Sequence, residues 1–113
     1  MTTNKIEIGA NEFFYDNNLL YTFPFPIKEH LLIGQNVLIL LDVPYDIVFN
    51  ENIFCFDSEK LVWQVERQDE HNEVCPFTSM SYDNNTFSGY KWCGIDCKID
   101  LITGKITSSE LIK

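Results

Sequence analysis

The sequence predicts an all-β domain of about nine short antiparallel strands, packed as two blade-like sheets in a sandwich or partly open barrel. Three observations carry that expectation. Ala10 is the only alanine among 113 residues, whereas 12 Ile, 6 Val, 7 Thr and 16 aromatic residues make up 41 of them. Alanine is the best helix former, and β-branched and aromatic side chains fit a pleated, half-buried surface. Ten Asn supply residues that tolerate the positive φ of tight hairpin turns. The longest apolar run, Val37 to Leu41, has the length of a strand and falls far short of the ~20 residues of a membrane helix. Residues 1–113 suffice for a single domain.

Along the chain, Lys5 to Tyr15 reads as one or two strands broken near Gly9, and Asp16-Asn17-Asn18 turns it into Leu19 to Phe23. Phe23-Pro24-Phe25-Pro26-Ile27 leaves the ladder, because proline has no N–H to donate. Pro26 to Ile33 could form a short helical turn. After Gly34-Gln35-Asn36, the run Val37 to Val43 is apolar at nearly every position, so a central strand buried on both faces is expected, closed by Pro44. Asn52–Asp57 and Lys60–Glu66 form a hairpin turning at Ser58-Glu59, and Arg67 to Glu73 is a polar surface loop. Phe77–Tyr82 pairs with Thr86–Trp92 across Asp83-Asn84-Asn85. Ile95–Asp100 pairs with Lys105–Leu111 through Thr103-Gly104.

Two stretches repeat. Tyr15-Asp16-Asn17-Asn18 returns as Tyr82-Asp83-Asn84-Asn85, and Phe56-Asp57-Ser58-Glu59-Lys60-Leu61-Val62-Trp63 parallels Ile99-Asp100-Leu101-Ile102-Thr103-Gly104-Lys105-Ile106. In the second pair an Asp ends a strand, where its carboxylate can accept turn N–H groups. These hairpins resemble propeller blades of the quinoprotein-like kind, in which Asp, a Thr-Gly-Lys turn and a returning aliphatic or Trp recur. The resemblance covers about 30 residues. It implies blade-like sheets packed face to face, and no cofactor. The order of apolar strand, Trp-bearing hairpin and terminal Thr-Gly-Lys hairpin is also similar to that of small bacterial all-β proteins with no assigned activity.

The charge is uneven. The chain carries 17 acidic and 8 basic side chains, a net −9. That disfavours unspecific nucleic-acid binding and attachment to anionic membranes, both of which rely on Lys and Arg. Residues 42–73 hold nine of the acids against Lys60 and Arg67, a net −7, while residues 74–113 balance four against four. Asp46, Glu51, Glu59, Glu66, Asp69, Glu70 and Glu73, with Tyr45 and Trp92 as aromatic anchors, are therefore the candidate interaction face. Phe49, Tyr82 and Tyr90 also fall near turns or at outward positions.

No catalytic constellation emerges. His71 lies among carboxylates, which suits a solvated imidazolium, and His30 reads as a strand-edge or loop residue. There is no G-x-S-x-G elbow, EF-hand loop or glycine-rich phosphate loop. His71-x3-Cys75 and Cys93-x3-Cys97 could supply zinc ligands, but alternation puts Cys93, Ile95, Cys97, Ile99 and Leu101 on one apolar strand face. Residues four apart on a strand stand roughly 13 Å apart, too far for one ion. With no secretion signal in Met1 to Ala10, a cytoplasmic chain with reduced thiols is expected, although Cys75 could pair with Cys93 or Cys97. No metal, cofactor or catalytic residue is assigned.

Asp42 either caps the Pro44-Tyr45 turn or faces a pocket, and Asp96 points outward with Lys98. The expected function is a non-catalytic interaction module that docks a basic protein partner, as an immunity-type antagonist would, with a homodimer as a further option. The alternative is a small-ligand binder or hydrolase with a site between the sheets near Asp42, Trp92 and Asp96.

Overall fold

The computed structural model describes residues 6–68 and 73–112. Among them the fold is all-β, as expected, with eleven strands rather than nine and three antiparallel sheets rather than two. Strands β1 (Ile6–Ile8), β2 (Glu12–Tyr15) and β3 (Asn18–Thr22) form the first sheet. Strands β4 (Ile27–Ile33), β5 (Asn36–Leu41), β6 (Ile53–Phe56) and β7 (Leu61–Gln64) form the second. Strands β8 (Phe77–Asp83), β9 (Thr86–Lys91), β10 (Ile95–Ile99) and β11 (Ile106–Leu111) form the third. Each sheet is a meander in chain order, since short turns join antiparallel neighbours.

The second sheet lies between the other two. Its central strands β5 and β6 are buried on both faces, which is why Val37–Leu41 and Ile53–Phe56 are apolar without a break. Side chains of alternate parity face opposite ways. Val37, Ile39, Leu41, Phe54 and Phe56 meet Phe13, Tyr15 and Phe23 of the first sheet and the chain that leaves it. Leu38, Leu40, Ile53, Cys55, Trp63 and Val65 meet Phe77, Phe87, Cys97 and Ile99 of the third. Trp63 is core, buried with Val65 against the third sheet. Phe49 is not a surface anchor: it is half-buried, with its ring 5.4 Å from that of Phe25.

Pro26 to Ile33 is not helical. Ile27 onward is strand β4, because Ile27, Leu31 and Ile33 turn a half-buried face toward the core while Lys28, His30 and Leu32 are exposed. The central strand ends at Leu41, ahead of Pro44. The repeated Tyr-Asp-Asn-Asn turns one residue later in its second copy. Asp16 and Asn17 hold positive φ between Tyr15 and Asn18, whereas Asn84 and Asn85 do so between Asp83 and Thr86. Both pairs make the left-handed two-residue loops that match strand twist. Asp57 Oδ1 accepts the Glu59 and Lys60 amides, and Asp100 Oδ1 accepts those of Ile102 and Thr103, the turn role expected of both. Gly104 follows at φ +76°, where any Cβ would lie 2.6 Å from the Trp63 indole, whose Nε1 donates to the Leu101 carbonyl at 2.7 Å.

Candidate functional site

Two asparagines hold the chain that leads into β8 and the start of that strand. Asn52 is fully buried; its Nδ2 donates to the Leu41 and Phe77 carbonyls and its Oδ1 accepts the Phe77 amide. Two residues earlier, Asn50 Nδ2 donates to the Glu73 carbonyl and Oδ1 accepts the Cys75 amide at 2.8 Å. A buried polar side chain must find partners, and these use the backbone of a neighbouring segment as another strand would. The Asn50-x-Asn52 spacing, placing both side chains on one side of an extended chain, was the only trace of this in the sequence.

Cys75 and Cys93 form a disulfide, with Cα atoms 5.5 Å apart. The expectation of reduced thiols is thus corrected for this pair, and Cys93 lies in the turn between β9 and β10 rather than on a strand. Cys55 and Cys97 are not in a disulfide and both are buried, Cys97 Sγ lying 3.7 Å from the Ser109 hydroxyl. Burial, together with the nearby Asp57 charge, pushes the Cys55 thiol up to about 11.

The bridge, with the Trp92 amide donating to the Pro76 carbonyl at 2.8 Å, fixes residues 74–76 against the β9–β10 turn. An open groove of about 350 Å³ results, lined by Lys28, Asp42, Val43, Pro44, Tyr45, Val74, Pro76, Thr78 and Trp92. Its aromatic walls are bare: Tyr45 is 84% and Trp92 65% exposed. Two β-bulges aim at it. The register shift between Ile27 and Glu29 turns out Lys28, and that between Phe77 and Ser79 turns out Thr78. Bulges commonly re-aim a side chain beside a functional site.

The structure brings together some of the expected residues and parts others. Tyr45, Trp92 and Asp42 share the groove, and Asp46 and Glu73 are exposed next to its lining residues. Asp42 does not cap the Pro44 turn, which closes by the Ile47 amide on the Pro44 carbonyl at 3.1 Å. Glu51 precedes β6 and Glu66 follows β7 at the same end, but the Glu66 carboxylate already accepts the Ile106 amide at 2.8 Å. Glu59 lies in the β6–β7 turn, at the opposite end of those strands. Asp69, Glu70 and His71 lie outside the described residues. Asp96 does point outward and pairs with Lys98 at 3.0 Å, but in a separate polar depression with Ser81, Asp83 and Ser88. Asp42, Trp92 and Asp96 therefore do not form one site, and apolar side chains occupy the space between the sheets. No helix among the described residues is long and apolar enough to cross a membrane.

No curated protein matches the sequence. Among solved structures the chain is similar to the crystal structure of the computationally designed Ika8 protein, at 10% identity and a TM-score of 0.44. All of this chain aligns with 48% of that one, so it spans about half the length of the designed protein. The profile of the domain of unknown function DUF7957 matches residues 3–111, almost the whole sequence, and the chain belongs to that family.

Proposed function

We propose that the protein is a non-catalytic interaction module that docks a basic protein partner at the groove between Tyr45 and Trp92. One observation carries this reading: two large aromatic side chains stand exposed on a single groove that holds Asp42 and borders Asp46 and Glu73. Aromatic anchors within a charged rim are the usual composition of a binding hot spot. Water-exposed indole and phenol surface is recovered as binding energy only when a partner covers it. The net −9 of the chain supplies long-range attraction for a cationic partner and repels acidic ones. An antagonist that masks the working surface of a basic protein, in the cytoplasm of a bacterial cell, fits this chemistry.

The test is affinity capture from the source cell with the wild type and with Trp92→Ala, at about 50 and about 300 mM salt. A basic protein retained by the wild type at low salt, released by high salt and lost from Trp92→Ala supports the reading. Recovery that ignores both the salt and the substitution overturns it.

A further inference from the structure

We infer that the Cys75–Cys93 bridge is a reversible latch on the groove, opened by a low-molecular-weight thiol and closed again by the corresponding disulfide. Its effect on docking rests on the reading above, whereas its opening does not. The bridge stands at the surface: Cys93 is exposed and Cys75 half-buried, while Cys55 and Cys97, which are in no disulfide, are fully buried. An exposed disulfide is within reach of thiols in solution, and such bonds are the labile ones. Cys75 and Cys93 also line a depression of about 240 Å³ together with Lys91 and Glu73. Lys91 is buried, with its Nζ 2.9 Å from Gln68 Oε1 and 5.3 Å from the centre of the Phe77 ring, and it makes no ion pair among the described residues. A thiolate released there meets a buried cation that still lacks an anion. Glu73 opposes it from an exposed position, where water and salt screen its charge more strongly.

The latch acts on the groove through its neighbours in the chain. Val74 and Pro76 flank Cys75, Trp92 precedes Cys93, and all three line the groove. Without the bridge, this part of the wall keeps the Trp92 amide on the Pro76 carbonyl and the Asn50 side chain on the backbone of Glu73 and Cys75. Single hydrogen bonds near the surface contribute little against water, so the wall loosens when the covalent tie goes. In the opening reaction a thiolate of the reductant attacks the exposed Cys93 Sγ, forms a mixed disulfide and expels Cys75 as a thiolate beside Lys91. A second reductant thiolate attacks the reductant sulfur of the mixed disulfide and frees Cys93. The bridge has then gained two electrons and two protons, and two reductant molecules have lost them and joined as a disulfide.

The experiment equilibrates the intact chain with mixtures of reduced and oxidised glutathione, alkylates it without denaturant and weighs it. Amide hydrogen exchange is then followed in the closed and open forms. Two alkyl groups are expected, on Cys75 and Cys93, with Cys55 and Cys97 unmodified inside a persisting fold, and oxidised glutathione should restore the bridge. Opening should speed exchange at the Cys75 and Trp92 amides roughly tenfold and leave that of Phe77, held by Asn52, unchanged. Lys91→Met, which keeps an apolar stem over Phe77, should slow opening roughly threefold. A bridge that stays closed in excess reduced glutathione, alkylation of all four cysteines together, or unchanged exchange at Cys75 and Trp92 each overturns the inference and leaves the basic-partner reading standing. An unchanged opening rate in Lys91→Met overturns the part given to Lys91. Capture repeated with the two forms should recover roughly tenfold less partner on the open one, and equal recovery overturns the effect on docking. If neither form retains a basic protein, the parent reading falls, while alkylation and exchange still decide on the latch.

Discussion

Asn52 shows how much one polar residue can hold in an apolar setting. It makes three hydrogen bonds to Leu41 and Phe77 while fully buried. Asn52→Ala strands an amide and two carbonyls in the core, and the expected loss of about 3 kcal/mol would appear as a lower urea midpoint with an unchanged slope. Cys55 acts through its protonation. Its thiol ionises at about 11 instead of 9.0, burial being the larger cause and the Asp57 charge the second. The folded state therefore favours the neutral thiol. That contribution is complete below pH 9.0 and disappears as pH rises through about 11. Urea midpoints measured across that window should fall for the wild type and fall less for Cys55→Ala. Asp57 shifts the other way: the Glu59 and then the Lys60 amide hold its carboxyl below the usual range.

The turns and strands were legible to different degrees. Hairpins marked by Asp or paired Asn were readable because local backbone chemistry dictates them: only a residue tolerant of positive φ serves at Asn84 and Asn85, and Asp57 and Asp100 accept nearby amides. Strand β4 was missed because its apolar residues sit behind two prolines on an edge, and pairing with β5 decides its state. The groove was half legible. Tyr45, Trp92 and Asp42 could be named, but nothing local says that Pro76 meets Trp92 or that Lys28 sits on a bulge, since both depend on register. The Cys75–Cys93 bridge was one of two open pairings. It closes a separation of 18 residues and ties the chain bearing Val74 and Pro76 to the turn bearing Trp92. Cys93→Ser should lose about 3 kcal/mol in chemical denaturation, in line with a loop of that size, and should weaken capture of the partner even where the chain remains folded.

At the scale of the molecule, the sequence patterns gave the class of fold but undercounted its layers. A strand buried on both faces was recognised at Val37–Val43, of which Val37–Leu41 is strand, yet an antiparallel strand of that kind needs a cover on each side, and Ile53–Phe56 repeats the requirement. A five-residue and a four-residue apolar segment side by side are the signature of a third sheet. The acidic stretch 42–73 likewise looked like one face when read linearly. The meander sends Glu59 to one end of β6 and β7 and Glu51 and Glu66 to the other, so fewer carboxylates reach the groove. The sharing of β5 and β6 has a thermodynamic consequence. Neighbouring residues such as Leu38 and Ile39 anchor separate apolar layers through one continuous backbone. Neither layer is expected to melt while the other stays whole, so urea transitions followed by near- and far-ultraviolet circular dichroism should coincide despite the two cores.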